Sequence, residues 1–152
     1  MKCKPHTEGK TVSTIGKINI AAAIITDIKG RCLLVRKRGT HYFMQPGGKP
    51  EAGELPEAAL VRELKEELNF IVSPDELVSV GSFTDVAANE PGHMVCADIF
   101  RISTDRTYFE PAAEIEEVIW FESSQFNHIK LAPLTENHLI PLLKRGGFCE
   151  TR

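Results

Sequence analysis

Three glutamates, Glu63, Glu66 and Glu67, stand at positions i, i+3 and i+4. On a helix, at about 100° per residue, that spacing confines them to an arc of roughly 100° on one face. Like charges so placed destabilise a helix by about 0.2–0.5 kcal/mol per pair, and Arg62, four residues before Glu66, offsets only one of the three. A hard divalent cation resolves the conflict, because it takes carboxylate oxygens and completes its shell with water and substrate phosphates. Gly47-Gly48, just upstream, adds to this chemistry: glycine lets a backbone approach a ligand closely and offer a carbonyl oxygen as a further hard donor. The alternative is a solvated acidic face, and the spacing alone does not choose between them.

The elements that must position these residues follow from periodicity. Pro56 suits a first helical turn, where its missing N–H costs nothing, and Leu60, Leu64 and Leu68 recur every fourth residue as one apolar stripe. The helix is expected to end near Asn69, a residue that tolerates the left-handed C-terminal cap, while Leu55 stands where a Ser or Thr would have capped its start. Upstream, Ile18 to Thr26 and Cys32 to Val35 read as buried strands of a hairpin turning through Asp27-Ile28-Lys29-Gly30. Gly39 to Pro50 reads as a loop with a short strand at Phe43-Met44-Gln45. Downstream, strands are expected at Leu77–Phe83 and Val95–Ile102, joined by the loop Ala87–Gly92. In the second, Val95, Ala97 and Ile99 alternate with Met94, Cys96, Asp98 and Phe100. An acidic loop, Glu114 to Glu117, leads to a strand at Val118–Phe121, and an amphipathic helix covers Thr135 to Lys144. These elements predict an α+β chain, an α/β/α sandwich.

Bulk properties describe one domain. The 152 residues are 42% hydrophobic and 26% charged, and a chain of this length buries a sufficient core without staples. Residues 1–16 are polar and aperiodic and read as a flexible N-terminal arm, leaving 17–152 as the domain. A formal charge of −3 excludes the basic field that a nucleic acid polymer requires. No apolar stretch approaches the roughly 20 residues that cross a bilayer, and no signal peptide pattern follows Lys2 and Lys4. Cys3, Cys32, Cys96 and Cys149 are far apart in sequence and read as reduced thiols of a cytoplasmic protein. The five histidines have no zinc spacing, and neither a nucleophile elbow nor a P-loop is present.

From Gly48 to Phe70 the residues run GKPEAGELPEAALVRELKEELNF. This stretch resembles the Nudix box, G-x5-E-x7-R-E-U-x-E-E-x-G-U with U a bulky aliphatic residue. Gly48, Glu54, Arg62, Glu63, Leu64, Glu66 and Glu67 match, Phe70 stands at the last apolar position, and Asn69 replaces the final glycine. At ordinary residue frequencies such a match arises by chance on the order of 10⁻⁸ times per starting point. Leu33 to Arg36 with Phe43 to Gly48 resembles the family's strand and approach loop, and Glu114 to Glu117 with Trp120-Phe121 resembles its later acidic segment. The resemblance implies the Nudix fold, a mixed sheet between helices.

It also implies a Mg²⁺-dependent pyrophosphohydrolase, with Mn²⁺ as a substitute. By resemblance, Glu63, Glu66, Glu67 and the Gly47 carbonyl hold the metal, and Arg62 pairs with Glu54 to fix the helix against the loop. Glu66, Glu67 or Glu114 serves as general base. Arg36 is placed to steer phosphates. The family's ADP-ribose and dinucleoside polyphosphate branches carry a proline or a tyrosine in the window that here reads Asp85-Val86-Ala87-Ala88, so a small-molecule nucleotide such as a (d)NTP or 8-oxo-dGTP is the implied substrate. Asn137, near the start of the last helix, is then the purine reader, and Gln45 occupies a position beside the base where an apolar residue is usual. A nucleotide sugar or ADP-ribose hydrolase and a non-catalytic nucleotide sensor are the alternatives, and a homodimer is compatible with either.

Overall fold

The computed structural model describes residues 16–122 and 129–144. The expected arm lies outside them apart from Gly16, as do Cys3, His6, His128, Arg145 and Cys149. Strand β1 (Gly16–Thr26) is the spine. It pairs in parallel with β6 (His93–Ser103) from Gly16↔His93 to Thr26↔Ser103, and β5 (Val78–Val86) lies antiparallel on the far side of β6. The turn after β1 is closed by Asp27, whose carboxylate accepts the N–H groups of Lys29 and Arg31 and pairs with the Arg31 guanidinium at 2.7 Å. That hairpin leads into β2 (Cys32–Lys37), but β1 and β2 register only at Thr26↔Cys32. Beyond that point each strand takes a different partner. Strand β4 (Gly47–Gly48) pairs with Ala21 and Ala22 of β1, whereas β7 (Ile115–Phe121) and β3 (Tyr42–Met44) pair with β2, and β8 (Lys130–Leu131) extends β3.

Alternation along β1 sends Ala21, Ala23 and Ile25 to one core and Ala22 and Ile24 to the other. The first core is roofed by helix α1 (Pro56–Leu68), whose Leu60, Leu64 and Leu68 are fully buried. Each such leucine contributes about 1.5–3 kcal/mol of burial. The second core is closed by the last helix through Leu139 and Ile140. The fold is therefore the expected mixed sheet between helices. Strand β6 alternates as expected, and both of its faces are covered, with Ala97 and Ile99 in one core and Phe100 and Ile102 in the other.

Four expectations need correction. Gly47-Gly48 is a short strand rather than loop, because the parting of β1 from β2 leaves β1 backbone groups for it to bond. Ile115 to Glu117 belongs to β7, since the pairs Arg36↔Glu117 and Lys37↔Ile115 extend the ladder through the acidic segment. The last helix opens with a wide turn, Thr135–Leu139, in which the Ile140 N–H bonds the Thr135 carbonyl five residues back, and only Ile140–Lys144 (α2) is α-helical. Pro141 supplies the reason: it has no N–H to give the carbonyl of residue 137 and its ring crowds that group. Finally, Cys32 is a buried thiol, but Cys96 is disulfide-bonded. Spacing along a chain does not report proximity across a fold.

Helix α1 ends where expected. Asn69 adopts φ 53° and ψ 37°, and its N–H bonds the Leu64 and Lys65 carbonyls. Less legible was what holds that end. Arg106 reaches the Leu68 and Asn69 carbonyls at 3.4 Å while its guanidinium stacks 4.2 Å from the Phe109 ring centroid. The Ala112 N–H bonds the Glu67 carbonyl at 2.9 Å, so the segment after β6 grips the helix terminus from outside.

Replacing Asn69 by glycine is expected to leave stability unchanged or raise it by up to about 1 kcal/mol, because glycine enters the left-handed region without a Cβ penalty. Asn69→Val should cost about 1–2 kcal/mol. Urea unfolding of both variants checks this, and equal effects would remove Asn69 from the cap.

Candidate active site

The site is built around a strand that cannot carry side chains. Gly47 has φ 151°, and a Cβ there would run into the Ala21 carbonyl of β1. A Cβ on Gly48 would collide with the Glu63 carboxylate. With neither present, α1 settles directly on β4, and the Gly47 N–H donates to Glu67 Oε1 at 3.1 Å. Glu67 is 1% exposed, and its Oε2 is buried with no hydrogen-bond partner among the described residues. Burial first, then the Glu63 charge, pushes the Glu67 carboxyl up to about 9, with Glu114 adding to the rise and the Gly47 N–H and Lys37 opposing it. Glu63 is raised too, by burial and then by Glu66, against the pull of Arg62.

Arg62 ties this face to the loop before the helix. Its Nε and Nη2 grip both oxygens of Glu54 at 2.9 and 2.7 Å, Nη2 also reaches the Lys49 carbonyl at 3.2 Å, and Nη1 donates to Glu63 Oε2 at 3.1 Å. A two-point guanidinium–carboxylate pair fixes orientation as well as distance. The Arg62 bonds, followed by the Glu51 N–H, hold the Glu54 carboxyl down at about 2. Glu54 and Arg62 therefore act as a brace and do not line the cavity.

The parting of β1 from β2 opens a cavity of about 460 Å³. Its lining includes Lys37, Gly47, Gly48, Glu63, Glu67, Asn89, Glu90 and Glu114 together with the apolar Ile18, Ile20, Met44, Val86, Val95 and Leu134, and Gln45 and Thr135 also line it. Of the residues singled out from sequence, Gly47, Glu63, Glu67, Glu114 and Gln45 are brought together here. Three are not. Glu66 has a half-exposed side chain reaching Arg62 at 3.8 Å. Arg36 is committed to Glu117 at 2.9 Å and to the Thr40 carbonyl, beside a different hollow. Asn137 donates to Asp85 Oδ2 at 2.9 Å, outside the cavity lining. Lys37, one of three adjacent cations in β2 and the turn after it, is the one facing Glu67, a choice only the strand's alternation could have signalled.

Residues 17–143 match the NUDIX domain family model. The chain belongs to the Nudix family. An 8-oxo-dGTP diphosphatase from Haemophilus influenzae is 42% identical over 64 residues, a stretch covering 40% of this chain and 47% of that one, so the match spans about half the relative's length. The solution structure of the ORF135 protein of E. coli superposes with a TM-score of 0.62 at 26% identity, covering 89% of this chain and 91% of the other. The crystal structure of a MutT protein from Methanosarcina mazei Go1 does so with a TM-score of 0.71 at 18% identity, covering 90% and 98%. The family match thus extends over nearly all of the described residues, and the superpositions show the same fold. Among the described residues no helix is long and apolar enough to cross a membrane.

Nudix hydrolases generally use divalent metal ions, and the donor set here fits one. The orphaned Glu67 oxygen, the adjoining Glu63 carboxylate and a glycine backbone free of side chains are hard donors in one place. No three carboxylate, imidazole or thiol side chains among the described residues form a complete metal site.

Glu67→Gln is expected to be at least as stable as the parent without divalent cation, since it removes a carboxyl that burial forces to take up a proton, and to lose most of the rise in Tm that Mg²⁺ gives the parent. Thermal melts with chelator and with Mg²⁺ measure both, and an equal Mg²⁺ shift in the two proteins would remove Glu67 from the donor set. The brace is testable by acid. Because Glu54 is held below its ordinary value of 4.5, its contribution is in force above that pH and is lost as pH falls toward about 2. The Tm gap between the parent and Glu54→Gln should close over that window and stay constant from pH 5 to 7.

Proposed function

We propose that the substrate is a purine nucleoside triphosphate, oxidised purines such as 8-oxo-dGTP included, cut between the α and β phosphates to give the monophosphate and pyrophosphate. The observation that carries this reading is one cavity lined both by carboxylates and lysines and by a set of apolar side chains, which suits a ligand that has a charged part and an aromatic part. Two 8-oxo-dGTP diphosphatases that share 42% and 38% identity with the chain over 64 and 58 residues support it.

In this reading Glu63 and Glu67, with Glu66 at the exposed edge of the same helix face and the Gly47 carbonyl, hold Mg²⁺, for which Mn²⁺ substitutes. The cation supplies Lewis-acid stabilisation of the charge that builds on the phosphoryl oxygens. Lys37 adds fixed positive charge to the cavity lining, and Glu54 and Arg62 keep the helix in register with β4. Glu114, exposed and on the cavity wall, takes the proton of the attacking water as the phosphorus–oxygen bond to pyrophosphate breaks. Gln45 lies beside the base. Asn137 contributes to base choice through Asp85, which precedes the wall residue Val86, and Arg36 guides phosphates only from outside. Residues 17–152 form the catalytic domain and the arm over 1–16 takes no part in turnover. A cytoplasmic setting follows the nucleotide pool, nucleic acid polymers are not substrates, and the chain acts as a monomer or homodimer.

A nucleotide panel with Mg²⁺ is expected to release pyrophosphate fastest from purine triphosphates. Glu67→Gln should lower kcat by about 10²-fold or more. Preferred release of ribose 5-phosphate from ADP-ribose, or near-normal turnover by Glu67→Gln, would overturn the assignment.

A further inference from the structure

The cavity lining holds one buried amide whose bonding is incomplete. Gln45 is 6% exposed and Thr135 1% exposed, and both line the cavity beside Met44, Ala132 and Leu134. The Thr135 hydroxyl donates to Gln45 Oε1 at 2.8 Å. On the other side Gln45 Nε2 donates to Cys32 Sγ at 3.9 Å, while the Cys32 thiol proton is directed to the Leu33 carbonyl at 3.8 Å. With that proton committed, the amide end facing the sulfur must be the N–H₂ end. Thr135 and Cys32 thus fix the amide's orientation between them.

An amide nitrogen carries two N–H donors. One meets the sulfur, a weak acceptor, and the second has no acceptor among the described residues. A buried donor left without a partner costs more than a typical hydrogen bond gains. A surface glutamine would satisfy that donor with water, but this one is buried at the cavity lining beside Met44, Ala132 and Leu134.

We propose that Gln45, held in orientation by Thr135, is a specificity residue that selects a nucleobase presenting a ring carbonyl oxygen to its second amide N–H. This rests on the nucleoside triphosphate reading above and narrows it from purines in general to oxo-purines. A base with an amino group at the same position places donor against donor, so the discrimination is repulsive as well as attractive. Thr135 is a positioning residue: it touches the amide and acts through it.

The test compares dGTP with the triphosphate of 2-aminopurine deoxyriboside, which has the same ring and 2-amino group but no 6-carbonyl, by pyrophosphate release with Mg²⁺. The parent is expected to favour dGTP by about tenfold or more in kcat/KM, as sites built to hydrogen-bond a group reject analogues lacking it. In Gln45→Leu and in Thr135→Val that ratio should fall toward one, and in Thr135→Ser, which keeps the hydroxyl, it should return. A merely structural role would lower both rates together and leave the ratio intact, and that result overturns the proposal. So does a parent ratio near one or a parent preference for dATP over dGTP, measurements that require no variant to fold. Failure of the underlying function looks different, because the parent would then release pyrophosphate from none of these nucleotides.

Discussion

Everything at this site depends on two adjacent residues having no side chain. Gly47 and Gly48 form a thin layer between the backbone of β1 and the carboxylates of α1. Any Cβ would separate those two elements, and with them the Gly47 N–H from Glu67. The close approach that results places Glu63 and Glu67 where water cannot reach them well, and burial then drives both carboxyls toward protonation. A surface triad would have relaxed into solvent. Here the helix retains an unfavourable electrostatic arrangement because leucines at 60, 64 and 68, on the adjoining stripe of the same helix, hold it against the core.

The remaining architecture distributes that constraint. Arg62 neutralises the outer edge of the cluster while gripping Glu54, so the loop leading into α1 is tied to the helix's own charged face. Arg106 performs the corresponding task at the far end, using aromatic stacking and two backbone carbonyls instead of a carboxylate. Between these fixed points the sheet opens at the β1–β2 seam, and the opening is what lets carboxylates and apolar side chains line one cavity.

Local signals carried much of this into the sequence. The four-residue leucine period, Pro56 and Asn69 located α1 and its end, and the alternation of β6 announced a strand. The box spacing placed Gly47, Glu63 and Glu67 together, and it paired Arg62 with Glu54. What stayed hidden depends on contacts between distant segments. Nothing near Arg106 marks it as a cap for a helix that ended long before. Arg36 and Lys37 are neighbours of like charge, and only the register of β2 against β7 sends one to Glu117 and the other toward Glu67. Glu66 looks equivalent to its fellows in a helical projection, yet the sheet covers Glu63 and Glu67 and leaves Glu66 half in solvent. The Cys96 disulfide is a property of the folded chain, invisible in cysteine spacing.

The parallel ladder between β1 and β6 also has a kinetic meaning. Gly16 finds His93, and every later pair in that ladder spans the same long separation, so the intervening chain must be closed into a loop before any of these bonds form. Helix α1 and the two hairpins rest on near-neighbour contacts and can appear early, whereas non-local strand pairing is slow. Strand β1 cannot present Ala21 and Ala22 as a firm bed for β4 until β6 has docked on its other edge. The burial of the carboxylates against β4 is therefore a late event in folding, and until then they stay hydrated on the face of the helix.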